Sequence, residues 1–285
     1  MITTTEFVNS ARRFMEEQSR TFASQYLKVK DKYDADERIQ TIGWLTSSLD
    51  LTTESILVLT ENETVWDLPI LFRSVLDGSA RAMFLLSAPT PEEAGKRWDE
   101  YANVLLKSDM ASSEQEIGRL AKSIQDGSLE GKVAEMGHEM VDELKTAAGE
   151  GASVQAVKSR WRFRTLSKVL RKESALWAQS ADLWEMHFAS ANALVHKSNL
   201  GNRQLFEKYR QIRLGEVPSL FSATMVLVSC VILQFDRLFL FLEALGLDSR
   251  PLIGVRSRHM DFFEKAAAVD EALAASIKTQ LEAPQ

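Results

Sequence analysis

Residues 220–235 read LFSATMVLVSCVILQF, sixteen positions without a charge, and no other stretch restricts the folding of this chain as much. About 18 or more apolar residues are needed to span a bilayer, and Asp236 and Arg237 close the run before that length is reached. The stretch therefore reads as a central helix buried on all sides. Such a helix needs other helices around it. Six prolines and thirteen glycines in 285 residues leave little turn chemistry, and helix formers abound. The expected class is all-α: a multi-helix bundle forming one domain over 1–285, with a peripheral excursion at 112–155.

Periodicity and stop signals predict helices over about 4–30, 35–60, 64–87, 178–198, 203–213, 217–246 and 256–281. A further helix starts at TPEEA, with Thr90 as N-cap, Pro91 at its first position and Glu93 three residues after the cap. It spaces Trp98, Tyr101 and Leu105 at helical intervals. Gly246 reads as a C-terminal stop with Pro251 beyond it, and AAGEGAS, around Gly149 and Gly151, as the best loop.

A formal charge of −6 argues against a protein that coats nucleic acid along its whole surface. The single cysteine, Cys230, lies inside the apolar run, has no partner for an intramolecular disulfide and fits a reducing compartment. No secretory signal is visible at the N-terminus, so the cytoplasm is the expected location and no membrane partner is implied. His138, His187, His196 and His259 are scattered, and no metal framework, phosphate loop or cofactor motif occurs.

Three features carry chemistry. Stepping by three and four along the 64–87 helix gives Trp66, Ile70, Arg73, Asp77, Ala80, Phe84, an ion pair at i and i+4 inside an apolar row. Arg73 and Asp77 are either a structural pair or the lining of a pocket. On the 178–198 helix one row reads Glu185, Ala189, Asn192, His196, with Asn192 one turn before a histidine suited to general acid or base work; a helix-end histidine bonded to a carbonyl is the plainer reading. His187 falls off that row and reads as packing. The third feature is KSRWRFRTLSKVLRK, residues 158–172, in which Lys158, Arg160, Arg162, Arg164, Lys168, Arg171 and Lys172 stand without an acid. Trp161 and Phe163 are interleaved, a composition suited to phosphate contacts with base stacking. A solvated helix face or an interface with an acidic protein fits the same charges.

LFRSVLDGSARAMFLL, RWDEYAN and WRFRTLSKVLRKE…LWEMHFASANALVHKSN together resemble a prokaryotic family of all-helical domains of unknown function. In that family an Arg-x-x-x-Glu helix precedes a Ser/Tyr-rich helix ending in His. The resemblance covers about residues 40–240, with Arg73 and Asp77 on the family's Arg and acid and Ser190 and His196 on the polar helix end. More distantly the chain is similar to HEPN domains of toxin–antitoxin and phage-defence systems, many of them metal-independent RNases with an Arg-x(4–6)-His motif. Residues 189–191 are Ala, Ser and Ala, so no arginine stands in that window before His196, and the resemblance leaves the cation to Arg73 or Arg203. It implies an RNase acting on RNA as a homodimer or higher oligomer, needing no metal or cofactor. His196 would move the proton, Asn192 would orient it, Arg73 would face the phosphorane charge and the 158–172 stretch would hold the backbone. The rival expectation is a non-catalytic interaction or sensor module whose basic stretch meets an acidic protein partner.

Overall fold

The computed structural model describes residues 2–65, 67–106, 151–195 and 219–282, together with Arg203, Phe206, Glu207 and Arg210. Every described element is helical, the all-α class expected. The chain divides into two compact units, Met1–Ser87 with Ser167–Gln285, and Ala88–Leu166.

The first unit contains α1 (Thr4–Tyr26), the short α2 (Lys30–Tyr33), α3 (Glu37–Glu61) and α4 (Leu68–Leu86). Helix α7 (Phe163–Glu173) leads into it, followed by α8 (Ala175–Val195), α9 (Ser219–Ala244), α10 (Arg250–Arg258) and α11 (Met260–Glu282). The starts follow from side chains that accept the orphan amides of a first turn. Thr3 and Glu6 form a reciprocal capping box on α1, and Asp36 accepts from Arg38 and Ile39 on α3.

Helix α9 is the axis of this unit. Its faces meet α1, α3, α4 and α11, and Leu227, Leu233 and Leu242 are fully buried. The 22 residues Ala223–Ala244 are long and apolar enough to cross a membrane by composition, and 72% of the apolar window lies inside the fold. Around its C-terminal half Phe235, Leu238 and Leu242 cluster with Leu252 of α10.

The last predicted helix, 256–281, is two helices. Gly246 ends α9 at φ +68 and Pro251 lies beyond it, as expected, but Pro251 also opens a separate helix, α10, that the periodicity does not predict. Proline is tolerated in a first turn because its missing N–H has no intrahelical acceptor there. The joint at His259 docks on α1: the imidazole stacks on Phe14 at 4.8 Å, and its Nε2 lies 2.6 Å from Glu17 Oε2. Hydrogen bonds from His259 and Arg258 hold the Glu17 carboxyl below the usual carboxylate range.

Helices α3 and α4 approach closely at Gly78, where a Cβ would overlap the Leu49 Cδ2 methyl. Leu49 is itself buried, so Gly78→Ala forces a rotamer change in a packed site. The variant is expected to lose about 1–2 kcal/mol in urea unfolding, overpacking of about 1–3 kcal/mol outweighing a helix-propensity gain of up to about 1 kcal/mol.

In the second unit α5 (Pro91–Asp99) starts as predicted, with Thr90 accepting from the Glu93 amide at 3.2 Å. It then passes into a π-helix, Glu100–Leu106, which packs on α6 (Gly151–Arg160). The wider turn places Glu100, Tyr101 and Leu105 in the interior. Residues 107–150, most of the predicted excursion, lie outside the described residues, and Gly151, read as loop, begins α6.

Candidate functional site

Asp77 does not pair with Arg73. Its carboxylate meets Arg81, one turn further on, at 3.0 Å. Both spacings are i, i+4, but an acid N-terminal to its base is the better arrangement on a helix. The side of α4 carrying Arg73, Asp77 and Arg81 is half-buried, so the helix is not enclosed all round. The Arg73 guanidinium lies over the Phe188 ring of α8 at 5.1 Å, a cation–π contact, and its Nε is buried without a hydrogen-bond partner among the described residues.

On α8, His187 meets the Phe72 ring edge-on at 5.4 Å, and burial lowers its pKa, so the imidazole packs as a neutral ring. Asn192 is half-buried. Glu185 accepts from Ser167 at 2.8 Å and pairs with Arg171, which ties it to α7. His196 lies outside the described residues, as does Trp66; Arg203 is exposed.

The basic stretch separates into paired and exposed cations. Arg160 pairs with Glu100, and Arg171 bonds Asp182 at 2.5 Å as well as Glu185. Lys158 is half-buried, whereas Arg162, Arg164, Lys168 and Lys172 are exposed; the last three line one side of α7 at four-residue steps. The aromatic residues between them go inward. Trp161 is 1% and Phe163 2% exposed, and the Trp161 indole donates to Glu100 at 3.0 Å and packs on Tyr101. Neither is placed to stack on a base, a correction to the sequence expectation. The chain turns between α6 and α7 at Trp161 and Arg162, and Trp161 and Phe163 point inward there while Arg160 and Arg162 stay outside.

The most unusual polar group is one the sequence reading placed at the edge of the apolar run. Arg237 is fully buried in α9. Its Nη1 donates to Ser79 Oγ of α4 at 2.7 Å and its Nη2 to Asp50 Oδ1 of α3 at 2.9 Å. Ser79 in turn donates to the Val75 carbonyl at 2.5 Å. The Arg237 Nε has no hydrogen-bond partner among the described residues. Burial raises the Asp50 pKa, with Arg237 opposing the shift. Burial also pushes the neighbouring Asp236 carboxyl up to about 7, against the pull of Arg256 and Arg237. Cys230 is enclosed beside them, its thiol pushed up to about 12, and is inert.

One side of this cluster reaches solvent. Asp50 keeps about a third of its side chain exposed at a cleft of about 300 Å³ between α1 and α3, also lined by Arg12, Glu16, Arg20, Glu54 and Gln234. The rim cations are occupied: Arg12 pairs with Glu54 and Glu61, and Arg20 with Glu16. Chemically the arrangement is a pinned ion-pair network joining three helices, with no histidine among the described residues that line the cleft. Its signal in the sequence was the Asp-Arg dipeptide interrupting apolar residues that continue to Leu242. Comparisons with protein-family models, characterised proteins and solved structures found no match.

Proposed function

We propose that this chain is a non-catalytic helical interaction module of a defence or regulatory system, with the exposed side of α7 meeting an acidic protein partner. The observation that carries this reading is the split of the 158–172 stretch: Trp161 and Phe163 are core, while Arg164, Lys168 and Lys172 remain outside. Affinity for single-stranded nucleic acid draws on aromatic stacking as well as charge, and neither aromatic of this stretch is exposed to supply it. Arg73 supports the same reading, since its guanidinium covers the Phe188 ring and its Nε is buried.

A second reading, a HEPN-like metal-independent RNase, is favoured by the same row of exposed cations, which suits a phosphate backbone. One assay separates the two. Wild-type protein and a His196→Ala variant are incubated with mixed total RNA in EDTA, and fragment ends are read. The expected result is intact RNA with both proteins. Cleavage by the wild type that the variant loses, leaving cyclic phosphate ends, overturns the interaction reading and makes His196 the catalytic centre.

A further inference from the structure

Helix α3 has two apolar sides, and among the described residues only one is covered. Ile39, Ile42, Leu49, Ile56 and Leu57 face the core. On the opposite side Trp44, Leu51 and Val58 are 68%, 72% and 45% exposed. They recur every seven residues, so they form one stripe along the helix. Between them stand Ser47, Ser48, Glu54 and Ser55, all exposed and only one of them charged.

We propose that this stripe is the self-association surface of the protein, pairing antiparallel with α3 of a second copy about a two-fold axis at Leu51. The pattern is symmetric about that residue. With Leu51 on the axis, Trp44 of each copy faces Val58 of the other, and the two Leu51 side chains meet. The same register settles the charges. Glu54, held by Arg12 at 3.2 Å, falls opposite Ser48, Glu61 falls opposite Thr41, and Ser47 faces Ser55, so every acid of the seam faces a hydroxyl and no two acids face each other. A parallel pairing would set Glu54 beside Glu54 and Glu61 beside Glu61. Antiparallel helices also bring opposite dipole ends together, and the small serines permit close approach.

The stripe is about 21 Å long and roughly 10 Å wide, a fraction of the ~800 Å² per partner of a standard interface. Association is therefore expected to be weak, in the range of about 100 μM to 1 mM. Self-pairing through α3 depends on the interaction-module reading for its role only: RNA cleavage would overturn that reading and leave a dimer standing, whereas a monomer would overturn the pairing whatever the RNA assay gives.

Sedimentation equilibrium of the full chain from about 1 μM to about 1 mM is expected to show the mass rising toward twice that of the chain. Leu51→Glu sets two carboxylates on the axis and is expected to weaken association roughly 100-fold or more. Because Leu51 is 72% exposed, the variant's circular dichroism and Tm should match wild type. Under oxidation Leu51→Cys should cross-link to itself. Trp44→Cys should not, its two copies lying about 21 Å apart along the seam against the Cα separation of less than about 7 Å that a disulfide needs. Buried Cys230 gives no background. A wild type that stays monomeric throughout, a Leu51→Glu variant that associates as well as wild type, or a Trp44→Cys variant that cross-links as readily as Leu51→Cys overturns the proposal.

Discussion

Arg237→Ala is expected to remove about 3–5 kcal/mol of folding free energy, the usual cost of breaking a buried ion pair from one side. Truncation leaves a void where the guanidinium lay among α3, α4 and α9, strips Ser79 Oγ of its donor and leaves Asp50 without its cation. The pH dependence identifies the cause. Burial already raises the Asp50 pKa and Arg237 holds it back, so without the arginine the folded-state pKa climbs further. A carboxyl whose folded pKa exceeds its unfolded value favours the fold in acid and disfavours it as pH rises through the folded value. The loss in Arg237→Ala should therefore be larger at pH 8 than at pH 5, measured by urea unfolding at both. The double variant Arg237→Met with Asp50→Asn removes both charges while filling most of the volume, and should recover at least half of the deficit. A loss independent of pH and not recovered by the double variant would mean that Arg237 acts through volume alone.

Asp236→Asn has the opposite sign. The folded-state pKa is near 7 against an ordinary 3.8. Native protein binds that proton more tightly than unfolded chain does, so the residue's contribution to stability declines from about pH 4 to about pH 7 and stays low above it. Asparagine keeps the shape of the protonated acid without titrating. The variant is expected to be more stable than wild type by about 2–4 kcal/mol at pH 8 and by only about 1 kcal/mol at pH 5. Thermal unfolding across that range checks it, and a Tm difference that does not change with pH would contradict it.

The central helix was legible because sixteen uncharged residues can be accommodated in only a few ways, and the start of α5 because Thr90, Pro91 and Glu93 act within one turn. Arg237 was not legible. Its partners stand 187 and 158 residues away, and in a linear reading an Asp-Arg pair after an apolar run looks like the end of a helix. Arg73–Asp77 and Asp77–Arg81 share one spacing, so pattern alone could not choose between them; the structure places the pair at 77 and 81. Arg160, Trp161, Arg162, Phe163 and Arg164 alternate charge with aromatics as an exposed binding strip would. A turn between two helices produces the same alternation with the aromatics directed inward.

The contacts of α1 also set a timetable. This helix packs against α9, α10 and α11, and its Phe14 and Glu17 wait for His259. At about 5–20 residues per second, the roughly 240 residues between them take on the order of 12–48 s to emerge from a ribosome. For most of that interval α1 has only α3 to pack on, and Phe7 and Phe14, fully or nearly fully buried in the finished fold, lack the rings of Phe262 and His259 that close over them. A truncation that removes α10 and α11 uncovers that side of α1 and should aggregate instead of accumulating as a smaller folded protein.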